Sequence, residues 1–156
     1  MKEIQLTQGK TAKVSDRWFD FLNQWKWQAH QAYGYDKWYA TRSENGKEIR
    51  MHRVITNAPE GMDVDHIDND GLNNQDENLR VCTHAQNIAN RGKQKHNTSG
   101  YKGIAWHKGN KMWQANITLN GKQMSVGYSK DPIEAAKKYD DAAKKYHGEF
   151  AVLNFP

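Results

Sequence analysis

Hydrophobic residues recur at every second position late in the chain. Trp113, Ala115 and Ile117 interleave with Gln114, Asn116 and Thr118, the period of a strand with one buried face. Asn120-Gly121 then marks a hairpin turn and Gln123–Tyr128 predicts the returning strand. Asp131-Pro132 opens a helix with proline near its first turn. That helix carries Ala135, Ala136, Tyr139, Ala142, Ala143 and Tyr146, a face of mostly small residues that can lie close on a sheet.

The first 58 residues read as a small strand-rich unit. Ser15 is placed to cap a short helix bearing Trp18, Phe21, Leu22 and Trp25, aromatics best used in a core. Strands are predicted over Trp25–Ala32, Lys37–Arg42 and Lys47–Met51, with turns at Gly34-Tyr35 and Asn45-Gly46. Pro59 and Gly61 break the chain before a short strand, Met62-Asp63-Val64, that leads into Asp65-His66-Ile67-Asp68. A loop rich in Asn and Asp follows. Helical character covers Val81–Arg91, with Thr83 as N-cap and Gln86 as its capping-box partner. Residues 93–100 are polar and read as a linker.

Composition argues for two thin modules over one thick globule. Only 37% of the 156 residues are hydrophobic and the mean hydropathy is −1.05, which is little for a single large core. The net charge of +5 favours a polyanionic partner. Its distribution is sharper: Gly61–Leu79 holds Asp63, Asp65, Asp68, Asp70, Asp76 and Glu77 and no Lys or Arg. Between Arg91 and Lys130 the charges are all basic. Cys82 is the single cysteine, so an internal disulfide and Cys-rich zinc sites are excluded and a reducing cytoplasm suits the chain. No apolar run resembles a signal peptide or a membrane span.

Asp65 and His66 adjoin at a strand end, with Asn78 twelve residues beyond His66 and Asn87 twenty-one beyond it. Phosphodiester hydrolysis needs an activated water and a Lewis acid on the phosphate. Histidine can take the proton from water, and a carboxylate with an amide carbonyl offers hard oxygens suited to Mg²⁺ or Mn²⁺ rather than zinc. Met51-His52-Arg53-Val54-Ile55, Val64-Asp65-His66-Ile67-Asp68, Leu72-Asn73-Asn74, Glu77-Asn78-Leu79-Arg80 and Thr83-His84-Ala85-Gln86-Asn87 together resemble the HNH homing endonucleases of phages, members of the His-Me finger group. The resemblance covers roughly residues 50–92 and implies a ββα-metal finger clasping one ion per chain. It implies that His66 is the general base, that Asp65 and Asn87 are the metal ligands, and that Asn78 fixes the loop and orients the His66 ring. Asn73 and Asn74 read as turn formers. Asp68 and Asp70 shape the loop or raise the local negative potential. For His52 and Arg53 the sequence leaves packing and DNA contact open, and the roles of His84 and Asn90 stay open too. Cys82 reads as a small core residue.

A second resemblance runs from Tyr101-Lys102-Gly103-Ile104 through Val126-Gly127-Tyr128 and Tyr139-Asp140-Asp141-Ala142-Ala143 to the closing Val152-Leu153-Asn154-Phe155-Pro156. This region looks like an AP2 domain, the module of plant ethylene-response factors. The resemblance implies a three-stranded antiparallel sheet on one helix that reads the DNA major groove. On this reading Gln114, Asn116, Thr118, Gln123 and Ser125 face outward, Met124 and Val126 face inward, and Lys102, His107, Lys111 and Lys122 rim the polar face. Few arginines stand at the DNA-facing positions, so the plant GC-rich preference does not transfer.

The expected architecture is therefore α+β: an HNH endonuclease domain over 1–92 (strand-rich unit 1–58, finger 59–92), a linker over 93–100, and an AP2-like domain over 101–156. The expected partner is double-stranded DNA, contacted by a monomer that nicks it, with no membrane and no small-molecule cofactor. The setting would be the cytoplasm of a bacterial host if the chain is phage-encoded. The competing reading is a sequence-specific DNA-binding regulator that does not cut.

Overall fold

Ile4, Ala12 and Val14 fall on one face of an antiparallel ladder between Lys2–Gln5 (β1) and Thr11–Val14 (β2), with Ile4 opposite Ala12. All three are buried, and they seed the core that Leu22, Trp27, Ala40, Met51 and Ile55 complete. The computed structural model describes residues 1–32, 37–94 and 96–156. The turn expected at Gly34-Tyr35 and the linker residue Lys95 lie outside the described residues. The chain divides into two units, Met1–Thr83 and His84–Pro156. Among the described residues no helix is long and apolar enough to cross a membrane.

In the first unit, helix α1 spans Asp16–Leu22 with Ser15 at the N-cap. Ser15 does not use its hydroxyl to cap; Oγ instead accepts the Asp76 amide at 2.9 Å. The predicted aromatic stripe is only partly core. Leu22 is fully buried, but Phe21 is 45% exposed, and Trp25 lies past the helix end. Strands Gln28–Gln31 (β3), Trp38–Glu44 (β4) and Lys47–Arg50 (β5) form an antiparallel sheet in chain order. Asn45 and Gly46 both adopt positive φ, 52° and 74°, as a tight hairpin turn requires. The third strand stops at Arg50: Met51 opens helix α2 (Met51–Thr56) because its side chain drops fully into the core. Asn57 ends that helix in the left-handed conformation. Asp63–His66 (β6) then pairs antiparallel with Leu79–Cys82 (β8), and Asn73–Asn74 (β7) adds to β2 in parallel.

The second unit begins with helix α3, His84–Ala89. This is shorter than the expected Val81–Arg91, since Val81 and Cys82 are spent on the β8 ladder opposite Val64 and Asp63. Strands Ile104–His107 (β9), Met112–Leu119 (β10) and Lys122–Ser129 (β11) make a sheet in the order β11-β10-β9, backed by helix α4, Pro132–His147. Asp131 caps α4, its Oδ1 accepting the Ile133 amide at 2.9 Å. Ile104, Ala115 and Ile117 meet Ala135, Ala136, Tyr139 and Ala143 in the core. Gly103 has φ +76°, and a β-carbon there would stand 2.2 Å from the Tyr139 ring, so sheet and helix approach over a bare backbone. A bulge between Ala115 and Asn116 shifts the β10–β11 register. Val126 packs on the core as expected. Met124, directly opposite buried Ile117, shares its inward face as assigned, yet remains 41% exposed.

Candidate active site

β6 delivers Asp65 and His66 side by side, and both are buried, at 4% and 6% exposure. Side chains alternate along a strand, so the two point to opposite faces. On one face Arg80, directly across the ladder from Asp65, donates Nε to Asp65 Oδ2 at 2.9 Å, and its Nη2 lies 2.8 Å from the same oxygen as an ion-pair contact. On the other, the His66 ring packs against His52 at 5.1 Å and nearly perpendicular, with Tyr39 edge-on to His52 and tilted on His66 at 5.7 and 6.0 Å. Gly71 admits this packing. A β-carbon there would stand 2.7 Å from the Tyr39 ring and 2.4 Å from the Trp38 carbonyl oxygen.

Burial pushes the His66 imidazole below its ordinary value, against the opposing hydrogen bond to Asn74 and the charges of Asp68, Asp65 and Asp70. Burial thus favours the neutral imidazole, the form able to take a proton. Nε2–H donates to Asn74 Oδ1 at 3.3 Å, which leaves Nδ1 as the ring nitrogen carrying the lone pair. Burial, the neighbouring His66 and the Arg50 and Arg53 charges push His52 down to about 3. Among the described residues its buried Nδ1 has no hydrogen-bond partner.

Asn74 is the residue that sequence reasoning passed over. It is wholly buried, a poor environment for a mere turn former. The side chain of Asn78, expected to fix the loop and to orient His66, bonds the loop. Oδ1 accepts the Asp68 amide at 3.0 Å, and Nδ2 donates to Asp68 Oδ1 and the Asn73 carbonyl at 2.9 and 2.8 Å. Its backbone carbonyl accepts from Ile67 at 2.9 Å. Burial raises the Asp68 carboxyl, but bonds from Asn73, the Asp70 amide and Asn78 outweigh it and hold the group below the usual carboxylate range. Asp70 Oδ1 accepts the Leu72 amide at 3.0 Å. Asp68 and Asp70 therefore build the loop. Arg53 does likewise, donating to the Met62, Ala58 and Pro59 carbonyls. Cys82 is a buried core residue, as expected. Among the described residues no group of three or more His, Cys, Asp or Glu gathers to hold a metal. Asn87 lies half-buried on α3 in the second unit, between exposed His84 and buried Asn90.

In that unit the register places His107, Gln114, Asn116, Thr118, Gln123 and Ser125 on the sheet face away from α4, with Asn116 opposite Ser125 and Thr118 opposite Gln123. Tyr128 joins them and was not foreseen. Gln114 Nε2 donates to its hydroxyl at 2.9 Å, and the His107 ring meets it edge-on at 5.6 Å. His107 Nδ1 also accepts the Asn110 amide at 3.0 Å, shaping the turn. Lys111 and Lys122 are exposed at the sheet's two turns. Lys102 corrects the expectation. It turns to the helix side, donating Nζ to the Ala89 carbonyl at 2.6 Å over the Tyr139 ring, and burial pushes its ammonium down to about 8.

A sequence model for HNH endonucleases matches residues 51–89. Protein 3.8 of Escherichia phage T7 is 38% identical over 110 residues, spanning 67% of this chain and 90% of the relative. A protein of Acanthamoeba polyphaga mimivirus, named an uncharacterized HNH endonuclease, is 32% identical over 148 residues, spanning 87% of this chain and 74% of the relative. An AP2-like ethylene-responsive transcription factor of Arabidopsis thaliana is 39% identical over 67 residues, 42% of this chain but 15% of the plant protein.

Proposed function

This chain belongs to the HNH endonuclease family, and on that premise we propose that it is a homing-type enzyme that nicks duplex DNA with the help of one divalent cation. The observation that carries the reading is a buried His66 beside the buried carboxylate of Asp65 at the end of β6. We assign His66 Nδ1 as the general base that takes a proton from the attacking water. Asn74 holds Nε2 and so selects the tautomer. Asn78 acts one step further out, by fixing the loop from Ile67 to Asn73 through backbone and side chain.

The donor set fits Mg²⁺ or Mn²⁺. Asp65 would supply a carboxylate and Asn87 an amide oxygen, both hard ligands. When bound, the ion polarises the scissile phosphate and stabilises the leaving oxygen. Attack by water in this arrangement leaves 5′-phosphate and 3′-hydroxyl ends. One base and one ion per chain cut one strand per binding event, so a monomer gives a nick.

DNA recognition falls to the outward face of the β9–β11 sheet. Gln114, Asn116, Thr118, Gln123, Ser125 and Tyr128 present hydrogen-bonding groups to base edges, with Lys111 and Lys122 at the rim for phosphate. The second unit suits this electrostatically: His84–Pro156 holds twelve of the chain's 23 Lys and Arg but five of its 18 Asp and Glu. The functional division is an endonuclease domain over 1–92, a linker over 93–100 and an AP2-like reading domain over 101–156. The setting is the cytoplasm of an infected host cell.

The test is incubation of supercoiled plasmid and phage or host DNA with the protein, with Mg²⁺, with Mn²⁺ and with chelator, followed by end-labelling. Metal-dependent nicks with 5′-phosphates support the reading. Full activity in chelator, or 3′-phosphate ends, refutes it.

A further inference from the structure

Lys102 was placed by the sequence on a DNA-facing rim, and the structure gives it another occupation. Its ammonium meets the Ala89 carbonyl at 2.6 Å. Ala89 is the last residue of α3 and is buried, as is Asn90 beyond it. A helix ends with carbonyls that lack intrahelical partners, and a cation there matches both the orphan acceptor and the dipole.

What makes this contact more than a passing surface bond is how tightly Lys102 itself is held. Its amide donates to Asn154 Oδ1 at 2.7 Å, and its carbonyl accepts Asn154 Nδ2 at 3.2 Å. Asn154 in turn donates its amide and Nδ2 to Asp140 Oδ1 at 2.8 and 3.0 Å, and Phe155 donates its amide to Asp140 Oδ2 at 2.9 Å. Asp140 is a 4% exposed carboxylate in the middle of α4. The next residue, Gly103, is wedged under Tyr139, and its carbonyl accepts the Asn116 amide at 2.8 Å. A continuous run of hydrogen bonds thus leads from α4 through the chain's last residues to the Lys102 backbone, and from its ammonium to the end of α3.

We infer that Lys102 is a positioning residue, a strut that fixes α3, and with it Asn87, to the sheet-and-helix body that reads DNA. The consequence for catalysis rests on the proposed role of Asn87 as a metal ligand. With the strut in place, the helix carrying that ligand moves as one body with the DNA-reading sheet, and metal affinity depends on a residue that touches neither metal nor DNA. A flexible four-carbon stem alone would make a poor strut; here both ends are pinned.

The test uses the full chain carrying Lys102→Met, which keeps the apolar stem, with Lys102→Arg as the cation-retaining control. Hydrogen exchange should show the amides of residues 87–91 losing protection about tenfold or more in Lys102→Met while α4 is unchanged, with protection kept in Lys102→Arg. The Mg²⁺ concentration for half-maximal nicking should rise several-fold, and the salt dependence of DNA binding should stay at its original slope. Unchanged exchange in α3, together with a salt slope reduced by about one phosphate contact, would overturn the strut and restore Lys102 to the DNA rim. Asn87→Ala separates the two readings. If it leaves the metal requirement unmoved, the ligand assignment fails, while the exchange result still decides the strut. Should Lys102→Met not fold, exchange and metal titration in Asn154→Ala, which frees the Lys102 backbone, decide it instead: loosening of α3 supports the strut and an unmoved α3 overturns it.

Discussion

Asn74→Leu isolates the contact that orients the proposed base. Leucine approximates the shape of asparagine and removes both its polar atoms. Asn74 has 0% exposure, so no bulk water replaces the acceptor lost 3.3 Å from His66 Nε2. A buried donor left without a partner costs about 1–3 kcal/mol. If the ring escapes that cost by rotating away, the same energy becomes the cost of returning it to the productive pose. At about 1.4 kcal/mol per decade, single-turnover nicking should slow by roughly 5- to 150-fold. The ceiling is the loss on removing a general base, on the order of 10²–10⁴, so Asn74→Leu should stay faster than His66→Ala. The assay is nicking of supercoiled plasmid with protein in excess at saturating Mg²⁺, alongside DNA affinity, which should not move. The sharper readout is the double variant. In a His66→Ala background Asn74→Leu should cost almost nothing further, because the ring it orients is gone. If the two penalties multiply, or if Asn74→Leu cleaves at the original rate, Asn74 does not act through His66.

Further outcomes follow from other contacts. His66→Ala should fold and bind DNA yet cleave about 10²–10⁴-fold more slowly; a near-normal single-turnover rate would move the base elsewhere. Asp76 ties α1 to the loop before Asn78, accepting from Arg17 at 2.8 and 2.6 Å and from Trp18 Nε1 at 2.9 Å. Asp76→Asn should cost about 1 kcal/mol of stability at pH 7. Chiefly the Arg17 bond holds this carboxyl below its ordinary value. The stabilisation is therefore complete above the unfolded carboxylate range, about pH 4, and fades as pH falls through the lower folded value. Denaturant melts at pH 7 and pH 3 should show the gap between the two proteins closing at the acid end. On the sheet, Asn116→Ala or Gln123→Ala should relax discrimination at one base pair by about 1–3 kcal/mol if the contact is bidentate, whereas Lys122→Ala should weaken all sequences alike; competition binding on a randomised site distinguishes the two.

What could be read from the residues was whatever neighbours in the chain decide. The hairpin turn at Asn120-Gly121 is present with φ of 48° and 77°, since those backbone angles suit asparagine and glycine wherever they stand. The Asp131 cap of α4 and the alternation along β10 are likewise local matters of bonding and period. The Asp65-His66 pair was legible because contiguous residues on a strand must adjoin. Tertiary packing settled the rest. Ser15 gave up its cap for Asp76, sixty-one residues away. Met51 left the predicted strand to fill the core. Asn74 was assigned to a turn because nothing within a few residues signals that it will be buried against His66. Lys102 was assigned to the rim because a lysine in a basic stretch is ordinarily solvated. Only the carbonyl at the end of α3 gives its ammonium a better-matched acceptor than water, while Asn154, held by Asp140, fixes its backbone. Periodicity reports which face of an element is buried, but the partner of a buried polar group is chosen by whatever the rest of the chain brings within hydrogen-bonding distance.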